Sequence, residues 1–368
     1  MGRLIDWDRE EILFVFASCS DIERENKNVG WISDDGILHI EIADQELNYK
    51  CDLNEADCYH SGDVISVGEK GYLNRVYDVE TSEIDIFVTG QCNSNCVMCP
   101  LPEAVRKRHD KKHLEWIKDY IAILPDDVGY INVTGGEPTL ARDGFFEILE
   151  SLRSKFVYSN FQILTNGRSV SDNRFLHKLL EVSPVGTRFA IPLHSADPSI
   201  HDSITRAEGS FFQTDRGIKN LIKERQKVEV RIVVSQKNID SLDETAKYIA
   251  SNYPGVFCVN YIGMEMMGNA ALNKDELWVD YAEVFRASRS GIDYLVNNGI
   301  DVQLYNFPLC DINRGYWHIA AKSITDYKIR YMDECEACVV KDICGGFFQS
   351  TKQVMKPKVH PIKGKYEV

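Results

Sequence analysis

The spacing of apolar residues divides the chain into two kinds of pattern. Up to residue 82, short apolar runs over 29–32, 37–42 and 64–67 are separated by turns rich in aspartate and glycine. No long helical pattern interrupts them. Residues 1–82 are therefore predicted to form a small antiparallel β domain.

From residue 83 the pattern changes to strands that alternate with helices. The helices are predicted where apolar residues recur every three or four positions, as at Leu114, Ile117 and Ile121. This alternation predicts an α/β fold over 83–299, with a parallel sheet whose active site lies at the carboxyl ends of the strands. Predicted strands cover 84–89, 130–134, 161–164, 188–193, 228–234 and 256–262; predicted helices cover 113–124, 145–156, 175–182, 214–224, 242–250 and 281–297.

Residues 300–368 form a third, cysteine-rich region. It opens with a predicted strand over 301–305 and ends in about a dozen residues expected to be loosely ordered.

The charge balance excludes one class of partner. The 368 residues carry 42 basic and 56 acidic side chains, a formal net charge of −14. Phosphate backbones need a basic surface, so a duplex nucleic-acid partner is not expected. The chain has no apolar run long enough for a membrane span and no signal-peptide pattern at its start, so a soluble, cytoplasmic protein is expected.

Eleven cysteines are too many to leave unexplained, and in a reducing compartment they favour metal or redox chemistry over disulfides. Cys92, Cys96 and Cys99 follow a predicted strand with the spacing C-x₃-C-x₂-C. Three thiolates on one short loop can hold three corners of a cubane iron–sulfur cluster and leave the fourth iron open. Zinc would need a fourth ligand; His109 and His113 are near, without a paired C-x-x-C motif.

A second group of cysteines lies near the end of the chain. Cys310, Cys335, Cys338 and Cys344 supply four thiolates, with C-x₂-C-x₅-C spacing in the last three. Four thiolates complete either a [4Fe-4S] cluster or a structural zinc site, and spacing alone does not separate the two.

The first cysteine motif resembles the signature of the radical S-adenosylmethionine (radical SAM) enzymes. The segment Thr134-Gly135-Gly136-Glu137-Pro138 after the next strand is similar to the GGEP motif of that family. The resemblance implies a partial (β/α)6 TIM-like barrel over 83–299. It also implies that Cys92, Cys96 and Cys99 are the catalytic cluster ligands, that SAM binds the open iron, and that its reductive cleavage gives a 5′-deoxyadenosyl radical. By the same resemblance the SAM-binding residues are Met98, Gly135, Gly136, Glu137, Pro138, Asn166, Ser195, Arg231, Gly263 and Met264.

The cysteine-rich tail is similar to the SPASM and twitch regions of peptide-modifying radical SAM enzymes. Phe348 stands where the full SPASM pattern has another cysteine, which favours one auxiliary [4Fe-4S] cluster held by Cys310, Cys335, Cys338 and Cys344. Phrases such as Gln91-Cys92-Asn93 and Cys344-Gly345-Gly346-Phe347-Phe348 resemble the radical SAM maturase of the His-Xaa-Ser systems (HxsC-like).

The HxsC-like resemblance implies a substrate and partners. The expected substrate is a short, ribosomally made precursor peptide that receives an oxidative modification such as a cross-link or ring. Expected partners are a reductase or a flavodoxin- or ferredoxin-type electron donor and a second radical SAM maturase. The alternatives are a radical SAM enzyme acting on a small metabolite, a non-catalytic iron–sulfur carrier or scaffold, and a zinc-stabilised binding module.

The remaining charged, histidine and cysteine residues, and the N-terminal region, are interpreted without a role in the chemistry of the cluster. The basic run 106–113 is expected to be a solvated helix entrance, and His194 is a candidate substrate contact. Ordinary packing is expected for Cys51, Cys58 and His60, and Cys258 is expected in the core. Residues 1–82 are expected either to dock the peptide at a strand edge or to cover the open barrel.

Overall fold

The computed structural model describes residues 3–4, 11–17, 28–33, 36–42, 45–52, 59–68, 70–107, 112–322 and 329–364. The chain divides into two compact units. One comprises residues 1–86, 110–132 and 147–160, and the other 87–109, 133–146 and 161–368. None of the described helices is long and apolar enough to cross a membrane.

The N-terminal strands form one seven-stranded sheet in the order β1-β5-β4-β3-β2-β6-β7. Its core contains Phe14, Leu38 and Ile40, which are almost completely buried. The predicted N-terminal strands therefore form a sheet. The strands are β1 (Arg3–Leu4), β2 (Ile12–Phe16), β3 (Val29–Ile32), β4 (Ile37–Ile42), β5 (Gln45–Asp52), β6 (Val64–Val67) and β7 (Leu73–Tyr77).

The expectation that this sheet is purely antiparallel is wrong for one pair. Strand β2 runs parallel to β3, with Val15 opposite Val29, whereas β3–β4, β4–β5, β2–β6 and β6–β7 are antiparallel. Side chains alternate between the faces of a strand in either direction, so the apolar pattern does not encode strand direction. Residues 17–28 between β2 and β3 are enough chain for the crossover that a parallel pair needs.

The second sheet contains eight strands in sequential order from β8 to β15. The five consecutive strand pairs from β10 to β15 are all parallel. Strand side chains on the helix-facing side, such as Val230, Ile232 and Val259, have no exposed surface, as expected for a sheet covered by helices. The strands are β8 (Glu83–Phe87), β9 (Tyr130–Thr134), β10 (Asn160–Leu164), β11 (Arg188–Pro192), β12 (Lys227–Val233), β13 (Cys258–Ile262), β14 (Asp301–Tyr305) and β15 (Ala320–Ala321).

The α/β prediction is confirmed, and the order of helices follows the predicted alternation. Strands β14 and β15 extend the sheet beyond the predicted six. The helices are α1 (Glu103–Arg106), α2 (Lys112–Ile123), α3 (Asp143–Lys155), α4 (Asn173–Val182), α5 (Pro198–Thr205), α6 (Ser210–Lys223), α7 (Leu242–Asn252), α8 (Gly268–Leu272), α9 (Lys274–Leu277), α10 (Tyr281–Asn297) and α11 (Gln349–Met355). A two-stranded antiparallel ribbon of β16 (Ile329–Arg330) and β17 (Phe347–Phe348) lies in the C-terminal region.

Helix α5 is absent from the sequence prediction, although its start carries a recognisable signal. The Asp197 side chain accepts the backbone N–H of Ser199 at 2.8 Å, and Pro198 is the first helical residue. An N-cap aspartate followed by proline at the first position is typical of a helix start. The helix is short, which is why its apolar periodicity is weak.

Helix α2 packs in the same compact unit as the N-terminal sheet. The hydroxyl of Tyr120 on α2 donates to the backbone carbonyl of Val76 on β7 at 2.8 Å. Tyr120 is 4% exposed. The unit that holds the N-terminal sheet thus extends past residue 82.

The expectation of a loosely ordered end is wrong for residues 357–364. The backbone N–H of Val339 donates to the carbonyl of Ile362 at 3.0 Å, and Val359 and Pro361 line a pocket with the second cysteine group. Lysines in this stretch suggested solvent exposure, but the intervening apolar residues pack inward. Residues 365–368 lie outside the described part of the chain.

Candidate active site

The first three cysteines lie on the loop that follows β8. Cys92, Cys96 and Cys99 are each partly buried. The backbone N–H of Ser94 points at the sulfur of Cys92, with an N to Sγ distance of 3.4 Å. N–H groups directed at cysteine sulfur stabilise the thiolate that a metal or iron–sulfur cluster requires.

The end of helix α5 supports one side of this loop. The backbone N–H of Asn95 donates to the carbonyl of Thr205 at 3.0 Å, and that of Val97 donates to the carbonyl of Ile204 at 2.8 Å. Carbonyls at a helix C-terminus have no partner within the helix, so they are available to hold a neighbouring loop. The cysteine loop therefore has a defined backbone conformation.

Helix α8 supports the other side of the loop. The Nδ2 amide of Asn269 donates to the Cys96 carbonyl at 2.8 Å, and Nδ2 of Asn273 donates to the Val97 carbonyl at 2.8 Å. At Gly268 a Cβ would lie 2.6 Å from the carbonyl oxygen of Cys99. The contact leaves room only for glycine at the start of α8.

Burial disfavours ionisation of the Cys92 and Cys96 thiols when no metal is bound. It raises the pKa of Cys92, a rise that Ser94 opposes through its hydrogen bond and Arg106 through its positive charge. Burial also raises the pKa of Cys96 to about 12, with the neighbouring thiols adding to the effect. A bound cation offsets such a cost, because metal binding displaces the thiol proton. The donor set fits a thiolate-ligated metal centre.

Gly135 and Gly136 lie directly against the backbone that leads into the cysteine loop. The N–H of Gly136 donates to the Thr89 carbonyl at 2.7 Å. A Cβ on Gly136 would lie 2.3 Å from the Gly90 carbonyl oxygen, and one on Gly135 would lie 2.5 Å from that of Thr89. Only glycine allows the two loops to approach this closely.

The Glu137 carboxylate is fully buried and ties this glycine loop to the loop after β10. Its Oε1 accepts the hydroxyls of Thr139 at 2.6 Å and Thr165 at 2.8 Å, and its Oε2 accepts the backbone N–H of Asn166 at 2.7 Å. Burial raises the pKa of Glu137, and these hydrogen bonds oppose the rise. Pro138, also buried, begins the 3₁₀ turn Pro138–Ala141 that follows.

Two side chains after β10 reach the cysteine loop. Asn166 donates from Nδ2 to the Oδ1 of Asn93 at 2.6 Å. Arg168 donates from Nη1 to the Asn93 carbonyl at 2.6 Å and to the Ser94 hydroxyl at 3.1 Å. Asn166 was predicted from the sequence, whereas Arg168 was missed, because nothing in the local pattern indicates that it turns towards residue 93.

The other predicted SAM-binding residues lie in two surroundings. Met98 and Met264 are 6% and 4% exposed and belong to one apolar cluster. Gly263 and Met264 also line a pocket of about 230 Å³ with Trp278 and Tyr281.

Ser195 has no exposed surface. Its Oγ accepts the backbone N–H of Asp197 at 3.1 Å and lies 3.0 Å from the hydroxyl oxygen of Ser241. These contacts stabilise the turn that leads into α5. The Ser195 hydroxyl, which was predicted to bind SAM, thus has contacts within the protein.

Arg231 takes part in an ion-pair network that the sequence analysis did not predict. Its Nε donates to Oε1 of the fully buried Glu229 at 2.6 Å, and its Nη2 donates to Oε1 of Gln162 at 3.1 Å. Arg188 approaches the same carboxylate at 3.4 Å. Glu229 and Arg231 are two residues apart on one strand, so their side chains lie on the same face. This spacing is the feature of the sequence from which their ion pair could have been predicted.

Cys258 belongs to these surroundings. It is 5% exposed, as the core prediction requires. Burial raises its pKa to about 12, and the charge of Glu229 adds to the rise. Its neighbours are thus charged rather than only apolar.

The second cysteine group surrounds one pocket of about 350 Å³. The sulfur of Cys344 accepts the backbone N–H groups of Leu309 at 3.3 Å and Gly346 at 3.5 Å. Burial raises the pKa of Cys310 to about 11. The four predicted ligands, Cys310, Cys335, Cys338 and Cys344, all line this pocket. The donor set again fits a thiolate-bound metal centre.

His194 is 3% exposed, and its backbone N–H donates to Nδ1 of His201 at 3.2 Å. Burial lowers the pKa of His194 to about 3 and that of His201 to about 4. The side chain therefore belongs to a neutral, buried pair in this structure. Cys19, Cys58 and residues 108–111 lie outside the described residues.

Comparison with known proteins defines the class to which this fold and site belong. Residues 86–249 match the family model of the Radical SAM superfamily. The chain therefore carries a radical SAM domain over these residues. Radical SAM domains bind a [4Fe-4S] cluster and SAM.

Individual relatives are similar over part of their length. Mycofactocin maturase MftC of Mycolicibacterium smegmatis is 28% identical over 214 residues, 58% of this chain and 51% of the relative. A probable GTP 3′,8-cyclase of Methanopyrus kandleri is 27% identical over 172 residues, 46% of this chain and 53% of the relative. The crystal structure of Streptococcus suis SuiB bound to precursor peptide SuiA superposes with a TM-score of 0.51 at 15% identity, over 61% of this chain and 48% of SuiB. The chain thus spans about half the length of these proteins.

Proposed function

We propose that this protein is a radical SAM maturase that modifies a short, ribosomally made precursor peptide. The observation that carries the proposal is the cysteine loop held against the Gly135-Gly136-Glu137 loop, with its backbone fixed by α5 and α8. The similarity to a mycofactocin maturase and the fold shared with SuiB, which was crystallised with a precursor peptide, favour a peptide substrate.

In this proposal Cys92, Cys96 and Cys99 hold the cluster, and the glycine loop and neighbouring side chains bind SAM. When bound, cluster and SAM supply reductive SAM cleavage and hydrogen abstraction from the substrate. The chain positions these groups. Gly135 and Gly136 allow close backbone approach, Glu137 fixes the two loops relative to each other, and Arg168 fixes the Asn93 carbonyl. Met98, Pro138, Asn166, Ser195, Arg231, Gly263 and Met264 complete the proposed SAM site.

We propose that Cys310, Cys335, Cys338 and Cys344 hold one auxiliary [4Fe-4S] cluster. All four line one pocket, and Cys344 receives two backbone N–H groups. An auxiliary cluster can accept the electron that remains after bond formation, which favours a net oxidation such as a cross-link or ring. The proposed partners are a flavodoxin- or ferredoxin-type electron donor and a second maturase of the HxsC-associated kind.

A second candidate is a radical SAM enzyme that acts on a small metabolite. The similarity to a GTP 3′,8-cyclase favours it. The network of Arg188, Glu229 and Arg231 carries one excess positive charge, and an anionic small molecule would fit that charge.

The test begins with metal analysis after anaerobic reconstitution. We expect about eight irons per chain, and about four in the variant in which Cys92, Cys96 and Cys99 are replaced by Ala. Cys258→Ala is the matched control, since this cysteine belongs to neither group, and should keep all of the iron. With dithionite, the wild-type protein should form 5′-deoxyadenosine and the triple variant should not.

The substrate class is tested by turnover. Short peptides encoded beside the gene are incubated with SAM and dithionite, and the products are weighed by mass spectrometry, with GTP in a parallel reaction. Loss of two hydrogens from a peptide supports the maturase. Conversion of GTP with unchanged peptides would replace it with the second candidate.

A further inference from the structure

Arg106 lies beside the cysteine loop rather than in solvent. It ends helix α1, and its Nη1 donates to Oδ1 of Asn95 while its Nη2 donates to Oδ1 of Asn269 at 3.3 Å. Asn269 in turn donates from Nδ2 to Asn95 Oδ1 at 2.9 Å. Three side chains thus form a closed network on the segment between Cys92 and Cys96. The expectation of a solvated helix entrance is wrong for this residue.

Backbone packing fixes the position of α1. A Cβ on Gly90 would lie 2.1 Å from the carbonyl oxygen of Val105, so the helix sits directly on the chain that enters the cysteine loop. The backbone of α1 at Val105 therefore lies against Gly90, and the next residue, Arg106, is close enough to reach the loop. The two hydrogen bonds to Asn95 and Asn269 then hold the guanidinium against the loop.

One donor of this guanidinium has no partner. The Nε–H of Arg106 is buried and, among the described residues, meets no acceptor. A buried N–H without a partner is costly, so such a group points to an acceptor supplied by a ligand. Asn269, which accepts one of the Arg106 hydrogen bonds, donates to the Cys96 carbonyl at 2.8 Å, so the guanidinium lies close to a residue proposed to hold the cluster.

We propose that Arg106 is a positioning residue that directs its positive charge and its free Nε–H towards a cluster held by Cys92, Cys96 and Cys99, and so favours the reduced state of that cluster. The inference rests on the proposed function. Uptake of one electron from an external reductant adds one negative charge at the loop. A nearby cation and an N–H donor stabilise that charge and raise the reduction potential.

The neighbouring Lys107 provides a matched control. Lys107 follows Arg106 directly and carries the same charge. Its ammonium pairs with the Glu103 carboxylate at 2.6 Å in solvent, where the Lys107 side chain is 74% exposed and that of Glu103 is 67% exposed. Arg106→Gln and Lys107→Gln each remove one positive charge from α1. The two variants therefore have the same overall charge. They differ because only Arg106→Gln removes a charge that faces the cysteine loop.

The experiment is a mediated titration of the reconstituted protein with dithionite, followed by electron paramagnetic resonance of the signal that changes when SAM is added. In Arg106→Gln the ratio of reduced to oxidised cluster at a fixed potential should fall about tenfold, a shift of about 59 mV for one electron. Lys107→Gln should match the wild type. Arg106→Lys should lie between them, because it keeps the charge and loses the forked contact.

Two results would overturn the assignment. An unchanged potential in a fully loaded Arg106→Gln, or an equal shift in Lys107→Gln, excludes a specific effect of Arg106. If Arg106→Gln takes up no iron at the loop while Arg106→Lys does, the positive charge serves assembly of the loop instead. A wild-type protein without any SAM-responsive signal would count against the proposed function itself.

Discussion

The carboxylate of Glu137 accepts the backbone N–H of Asn166 at 2.7 Å, although the two residues follow different strands of the sheet. The contact joins the glycine loop after β9 to the loop after β10. Since Asn166 also donates to Asn93, the chain of hydrogen bonds continues to the cysteine loop. Three loops at the carboxyl ends of neighbouring strands are thereby connected through one buried acidic side chain.

Replacing Glu137 with Ala should destabilise the fold as well as weaken SAM binding. The change leaves the Asn166 N–H and the Thr165 hydroxyl without an acceptor in a buried site. We expect a loss of about 2 to 4 kcal/mol in the free energy of unfolding, measured by urea denaturation. The exposed Glu208→Ala serves as the control and should be near neutral. An unfolding free energy in Glu137→Ala equal to that of the wild type would contradict the structural role.

Gly268→Ala should displace the cysteine loop. Gly268 has a φ of +53°, and an added Cβ would press on the Cys99 carbonyl at 2.6 Å. Gly299→Ala is the matched control, since its φ is +74° but no atom lies within 4 Å of an added Cβ. Both variants bear backbone strain, and only the first adds a clash. Iron content should fall from about eight to about four per chain in Gly268→Ala alone; equal loss in both would assign the effect to strain.

Cys338→Ala should remove the proposed auxiliary centre and leave the proposed SAM-binding centre. Three thiolates remain around the pocket, and the expected iron content is about four per chain. The SAM-responsive resonance signal should persist in this variant. Stoichiometric zinc in the wild-type protein, with iron for one cluster only, would show that the second group binds zinc instead.

The buried histidine pair predicts lower stability in acid. Burial holds the pKa of His194 at about 3 and that of His201 at about 4, with Asp202 opposing and Arg168 adding to the latter shift. Unfolding returns both to about 6.5, so the unfolded chain binds more protons below that pH, and stability decreases as the pH falls from about 6.5 towards 4. The slope is at most about 1.4 kcal/mol per pH unit for each histidine.

The measurement for this prediction is the free energy of unfolding against pH. His201→Gln keeps an acceptor for the His194 N–H and should flatten the dependence by about one proton. His177→Gln, on the exposed side of α4, should leave it unchanged. A wild-type curve that is flat between pH 4 and pH 6.5 would contradict the prediction.

The sequence by itself determined the order and type of the main elements. Strands β9 and β14 and helix α10 have their predicted bounds, because long apolar periodicity reports which residues must be buried. The cysteine spacing and the Gly135-Gly136-Glu137 segment located the candidate site, since both are local features of the chain. The C-terminal elements after 305 were poorly predicted, because they are short and carry weak periodicity.

Only the tertiary structure decided which side chains complete the site. Asn269 and Arg168 meet the cysteine loop from positions far along the chain, Arg106 turns inward, and Arg231 pairs with Glu229. A local pattern states that a residue is buried or polar, but not which of many polar groups it will meet. That choice is made when helices and strands pack, because each buried donor or acceptor must then find a partner among the groups brought within reach.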